Sequence, residues 1–476
     1  MTDAAARLPR RFARLTALNI LANVAVPLAG LVDVAMLGHL SDLSFLAGVA
    51  LATILFDYLY WTFGFLRMGT TGVTAQALGR GDDAEVHLTL YRALAFAAGT
   101  GAAILLLQVP LGELGFLLLS GGPAVEAAGR EYFAARIWAA PAALANFAFL
   151  GWYLGREESG RALVMTVVGG FANIGFNYLF IVRLGLAARG AGLGTMTSQY
   201  LMLAVAAGMF LARPRPPVPG WPAVADRQRL AGLIRLNGDI LVRTVCLLTT
   251  FALFLNFSSL LGTATLAVNT VLHRLLNFAA FLIDGAAFAT ESLGGILRGA
   301  GSKGGLKRLL GLAFATGESF ALLFLAALLA VPATIYGWLT SHAEVIAAAR
   351  VYGPWLGPVL IFGAVAYVYD GLFIGLTAGR VLRNSMLVFG EGCISAVLPR
   401  GAGAHGVPLH LRLRRQRAPW PQGRRGDGVG LGRLPVPMRA RRPSFPARRG
   451  RQSSSRMPPR RLSFGSVSTN VLPAER

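Results

Sequence analysis

Ten stretches of this chain stay apolar over the length of a membrane-crossing helix, near residues 15–37, 45–66, 90–111, 132–154, 162–182, 190–211, 239–261, 266–288, 309–331 and 351–375. A hydrocarbon core about 30 Å thick is crossed by roughly 20 apolar residues in an α-helix, whose backbone polar groups pair within the helix itself. The fold class expected is therefore all-α, a polytopic transmembrane helical bundle. Composition agrees: 54% of residues are hydrophobic and 14% charged, against about 45–50% and 25% in soluble domains. Two cysteines, Cys246 and Cys393, and six scattered histidines give no disulfide framework and no metal-ligand spacing. The first apolar run is too long for the core of a cleaved leader. No enzymatic constellation stands out, and there is no P-loop. The cluster Gly190-Ala-Gly192-Leu-Gly194 opens an apolar helix rather than a phosphate-binding turn. A protein that is not an enzyme, without cofactor or metal, is expected.

Basic residues orient the bundle, because positively charged flanks stay on the cytoplasmic side. Arg7, Arg10, Arg11 and Arg14 precede the first run, Arg80 follows the second, and Arg156 and Arg161 follow the fourth. Arg298, Lys303, Lys307 and Arg308 follow the eighth, whereas the odd-numbered connections carry few. The N-terminus is thus expected in the cytoplasm. The longest break, Arg213 to Pro222, is proline-rich and reads as an extended linker. The expected organisation is a six-helix lobe over 1–212, a cytoplasmic Pro/Arg-rich linker over 213–235, a lobe of about four helices over 236–390, and a tail over 391–476. The two lobes share a pattern. Pro141, Gly151, Gly155 and Gly160-Arg161 in the first match Pro358, Gly371, Gly375 and Gly379-Arg380 in the second. The choice is between a duplicated unit, which would place a site at the interface of two parallel halves, and chance among abundant glycines.

The net charge of +23 is unevenly spread: eighteen arginines and three acids fall between Glu391 and Arg476. Apolar runs stop near Phe389, and prolines and arginines replace them without a lysine. A reading-frame slip in GC-rich coding DNA is the favoured origin of this disordered tail; a genuine basic arm touching anionic lipid or RNA is the alternative.

Charged side chains inside a bilayer are costly and point to function. Asp33 has no other charge near it between Leu15 and Leu37. Burial penalises its charged form, so a carboxyl that titrates there can couple proton entry to helix repacking, or it is a hydrogen-bonded acid that only locks the bundle. Asn173 and Asn177 are one helical turn apart, and Thr195 could join them. Arg67 and Gln76 lie on and just beyond the second run. Asp239 and Arg243, four residues apart, are expected to neutralise each other; Asp284, Glu291 and Asp370 are further acids of the second lobe. Asp57, Arg274 and Glu318 are expected near helix ends or in pairs, without a role.

At these residues the sequence resembles the multidrug and toxin extrusion (MATE) transporters, in particular the DinF-like bacterial subfamily. The matching strings are Val26 to His39, Phe65 to Gly79, Asn237 to Arg243, and Tyr369 to Gly375 with Arg383 to Met386, spread over about residues 10–389. The resemblance implies twelve helices in two six-helix lobes around a central cavity, in the bacterial inner membrane. It also implies export of small amphipathic, cationic compounds by antiport with H⁺ or Na⁺. Carried over by position, Asp33 is the coupling acid, Asn173, Asn177 and Thr195 surround it, and Gln76 and Asp370 complete the cation-coupling and substrate set. Asp239, Asp284 and Glu291 are second-lobe candidates. Leu18 stands where many relatives have a bending proline, Asn177 where some have a second acid, and Ile296 where a counterpart of Gln76 is often polar. The family continues into two more helices where this chain turns arginine-rich, so an incomplete second lobe and impaired export are expected. Partners are substrate and membrane lipid, not nucleic acid, and a monomer is expected. Two competing readings are a lipid or lipid-linked-sugar flippase, which calls for a more cationic cavity, and a membrane-anchored nucleic-acid or lipid-surface binder acting through the tail.

Overall fold

The computed structural model describes residues 2–397 apart from 41, 120, 214–219 and 341; within its helices the side chains of 2–6, 26–29, 31, 33, 34, 221 and 389–397 lie outside the description. Each apolar run is helical, and no strand occurs among the described residues. The first half comprises α1 (Thr2–Gly38), α2 (Leu43–Thr62), α3 (Phe65–Gly79), α4 (Asp83–Leu106), α5 (Gln108–Leu118), α6 (Pro123–Arg136), α7 (Ala140–Gly155), α8 (Ser159–Asn177) and α9 (Ala187–Leu211). A single turn, α10 (Trp221–Val224), leads into the second half. That half comprises α11 (Arg227–Leu260), α12 (Thr263–Gly299), α13 (Lys303–Ala330), α14 (Pro332–Leu339), α15 (Ala343–Tyr352), α16 (Leu356–Gly375) and α17 (Gly379–Val397). Among the described residues, nine segments are long and apolar enough to cross a membrane, with α2–α3, α6–α7 and α15–α16 each making one. Helix α1 covers the remaining expected run.

Large apolar side chains cover the outside. Leu106, Leu117, Trp338, Phe362 and Phe171 are each more than 70% exposed, an arrangement that water does not tolerate but lipid does. Residues 227–235, assigned from sequence to the linker, already belong to α11. At the other end, α17 runs to Val397, past the boundary expected at 390; the rest of the tail lies outside the described residues.

Helix starts follow local chemistry. Asp42, Asp82 and Ser302 cap α2, α4 and α13 by accepting from the amides of Ser44, Glu85 and Gly305. Replacing Asp82 with Ala should cost about 1 kcal/mol, read as a lowered midpoint in thermal unfolding of the detergent-solubilised protein. Asp226 caps α11, accepting from the amides of Gln228 (2.9 Å) and Arg229 (3.0 Å). Chiefly the Arg229 amide holds this carboxyl below the ordinary aspartate range. A depressed value means the cap stands above that range and is lost as pH falls through the lowered pKa. Protection of the Gln228 and Arg229 amides against hydrogen exchange should therefore fall on acidification, and Asp226→Asn should remove that dependence.

The shared pattern of the two halves is structural. Gly151 and Gly155 let α7 sit directly on the backbone carbonyls of Arg67 and Thr71 in α3; Gly371 and Gly375 do the same for α16 on the carbonyls of Ala287 and Glu291 in α12. A Cβ at any of the four would collide with backbone, which is why glycine recurs. The turns that follow match too. Glu157 and Thr377 both adopt left-handed conformations, with φ of 61° and 52°, a strained state for residues with a Cβ. The glycines, the turn residues and the carbonyls they meet keep one offset of 220 residues between the halves, as from Gly151 to Gly371, while Pro358 and Gly379 fall within three residues of it, so the repeat is a duplicated unit and not chance.

The connection between halves is anchored at both ends. Arg213 pairs with Glu158 at 2.7 Å. The buried Arg92 donates to the carbonyls of Ala223 (2.9 Å) and Val224 (3.2 Å) while paired with Glu85 at 2.8 Å.

Candidate functional site

Helix α12 is the axis of the site. It packs against α1, α3, α13 and α16, and one face of it, carrying Asn277, Asp284 and Glu291 at helical spacing, lines a cavity of about 1010 Å³. The far wall comes from α2, α3, α11, α14 and α16, so both halves contribute. Three arginines, Arg67, Arg243 and Arg274, face four carboxylates, Asp57, Asp284, Glu291 and Asp370, among aromatic rings such as Trp61 and Phe251. Beyond Glu291 the cavity closes: Gly72, Gly79 and Gly299 bring α3 against α16 and α12 with no room for a Cβ.

The charges are mostly spoken for. Arg243 donates through Nε (3.0 Å) and Nη2 (2.5 Å) to both oxygens of Asp370, the geometry in which guanidinium and carboxylate bind most strongly. Asp239 pairs instead with Arg383 at 2.6 Å. The expected neutralisation of Asp239 by Arg243 is thus corrected: both lie on α11, but each has a partner on another helix. Arg67 reaches from α3 to Glu291 on α12 at 3.4 Å and stacks 4.3 Å over the Phe288 ring. Asp284, half-buried, has no hydrogen bond or ion pair to the described residues.

A second polar group sits in the first half. Asn173 donates to Thr195 Oγ1 and Asn177 to Asn173 Oδ1, both at 3.3 Å, tying α8 to α9. Immediately after Asn177 the helix widens into a π-helical stretch, Tyr178–Arg183, a distortion common at functional sites. Asp33 lies on α1, which packs along both α8 and α12; its side chain lies outside the description. Asn19 and Asn23 of α1 donate to the carbonyls of Gly285 (3.4 Å) and Phe281 (3.3 Å), on either side of Asp284 in sequence.

The structure thus brings Asn173, Asn177 and Thr195 together, and groups Asp284, Glu291 and Asp370 around the cavity. Gln76 is elsewhere: it donates to the Gly375 carbonyl (2.9 Å) and to Thr377 Oγ1 (3.1 Å), fastening the two halves. Asp57 and Arg274, given no role from sequence, line the cavity, and Glu318 sits mid-helix on α13. Intervals of three, seven and seven residues from Arg274 through Asn277, Asp284 and Glu291 keep these side chains on one helical face and were the available signal for a polar face on α12.

Comparison with known proteins agrees with this architecture. The MatE family model matches residues 19–179 and 240–388. The DNA damage-inducible protein F of Escherichia coli is 34% identical over 377 residues, 78% of this chain and 82% of that protein. The chloroplastic protein DETOXIFICATION 44 of Arabidopsis thaliana is 25% identical over 391 residues, 78% of this chain and 72% of its own. In fold, the chain resembles a multidrug resistance MATE family transporter of the MOP superfamily solved in an outward-facing conformation. The TM-score is 0.70 at 20% identity, covering 80% of this chain and 85% of that one. This chain belongs to the MatE family, and it is a multi-pass membrane transporter rather than an enzyme.

Proposed function

We propose that the protein exports small amphipathic, cationic compounds across the bacterial inner membrane by antiport with H⁺ or Na⁺, with Asp33 as the coupling group. The observation that carries this reading is the position of α1, which packs on α8 with its amide cluster and on α12 with the cavity wall. Occupation of Asp33 by a cation alters how α1 sits against α8. Asn19 and Asn23 then transmit the change to the backbone of α12 beside Asp284. Between Asn23 and Asp33, Pro27 lacks the amide proton that would bond the Asn23 carbonyl. It gives α1 a soft point although Leu18 replaces the more familiar proline.

With the basic flanks in the cytoplasm, the closed end of the cavity faces inward, and the arrangement is outward-facing. A lining of three arginines against four carboxylates favours a cationic substrate over a lipid phosphate. The test is export of ethidium from proteoliposomes under an imposed pH or sodium gradient. Gradient-dependent flux supports the reading; flux that ignores both gradients overturns the antiport.

A further inference from the structure

The pair between Arg67 and Glu291 joins the two halves at the floor of the cavity, and its geometry is unlike that of its neighbours. Arg243 grips Asp370 through two nitrogens, but Arg67 touches only one oxygen of Glu291, at 3.4 Å. The other oxygen, Oε1, is buried without a hydrogen-bond donor, although the residue is 1% exposed and lines the cavity. The Thr71 hydroxyl lies within reach of the Glu291 carboxylate, but its one proton is held by the Arg67 carbonyl at 2.9 Å. A buried carboxylate oxygen with no donor is costly and is relieved by any cation that reaches it. Arg67, meanwhile, has somewhere else to rest, because its guanidinium already lies over Phe288.

We infer that Glu291 is a cation-exchange latch: a substrate ammonium or aromatic cation entering the cavity binds Glu291 in place of Arg67, and the inter-half contact at the cavity floor loosens as a result. This rests on the export reading for the nature of the substrate, and adds to it a residue through which the second half senses occupancy. The attraction of Glu291 for Arg67 and for the substrate is the same interaction, so the two compete. Around the latch, α12 also presents Asp284, α16 presents Asp370 and Tyr367, and α11 presents Arg243. Arg243 and Asp370 hold each other, which leaves Asp284, on the same helix face as Glu291, as an additional anchor for positive charge.

The test uses the full chain in detergent with ethidium, an aromatic monocation, and no ion gradient. Affinity is read by fluorescence polarisation, and opening of the seam by hydrogen exchange over residues 72–80 and 291–299. In the unaltered protein ethidium should raise exchange in both segments. Arg67→Gln should bind ethidium about tenfold more tightly, its competitor being gone, with exchange already raised before ethidium is added. Glu291→Gln should bind about tenfold more weakly, and ethidium should no longer change the exchange. A gain of affinity cannot arise from misfolding, so Arg67→Gln is the decisive arm. Unchanged or weaker binding by that variant overturns the latch while leaving export untouched. Failure of the unaltered protein to bind ethidium overturns both readings.

Discussion

Replacing Asp33 with Asn should abolish gradient-driven export, lowering the rate at least about 100-fold, while ethidium affinity at zero gradient changes less than about twofold. Asparagine keeps the size and most hydrogen-bonding capacity of aspartate but can neither carry the charge nor titrate. No other charged residue lies on α1 between Leu15 and Leu37 to take over the role. The paired charges of the cavity sit on α3, α11, α12 and α16 instead, which is why binding should survive. Measured side by side in proteoliposomes and detergent, the two readouts separate coupling from recognition. Unimpaired export by the variant removes Asp33 from the mechanism. Loss of binding as well as export makes it a substrate ligand.

The second large effect concerns folding. Arg243→Leu leaves Asp370 as an uncompensated carboxylate at the core of the second half and should cost about 3–5 kcal/mol. Arg243 and Asp370 side chains are 8% and 16% exposed, so only their cavity side meets solvent and the loss is softened little. The double change Arg243→Leu with Asp370→Leu should recover most of the thermal stability, because two apolar side chains of similar bulk replace the pair rather than breaking it. Arg243→Lys should fall between, since a single ammonium cannot span both carboxylate oxygens. If the double variant is no more stable than the single, Asp370 is held by something other than Arg243.

Every helix of membrane-crossing length among the described residues was legible, because about twenty consecutive apolar residues admit few other structures. The repeat was legible as a glycine pattern but not as a fact, since only the carbonyls of Arg67, Thr71, Ala287 and Glu291 show what the glycines are for. The acids of the second half were visible as charges within apolar runs. Their partners were not: Arg243 is 127 residues from Asp370, and Arg67 is 224 from Glu291, whereas local spacing offered Asp239 to Arg243. Gln76 illustrates the same limit from the other side. Its polarity within an apolar helix was evident, but its use as a fastener between halves depends on the carbonyl of Gly375, which no side-chain pattern encodes. The aromatic lining was missed because Phe and Trp are as common on lipid-facing positions as on a cavity wall.

The glycine seats have a mechanical side. Within each half they weld one helix to another, α7 to α3 and α16 to α12, so that each pair travels as a single beam. Between the halves, Gly72, Gly79, Gly295 and Gly299 produce faces of bare backbone with no teeth to disengage. Two beams meeting along such faces can slide or tilt without their cores being repacked. The force that holds them in register is then concentrated in a few removable pins, of which Arg67 and Gln76 are two. A transporter built this way is geared not by the bulk of its core but by the chemistry of those pins.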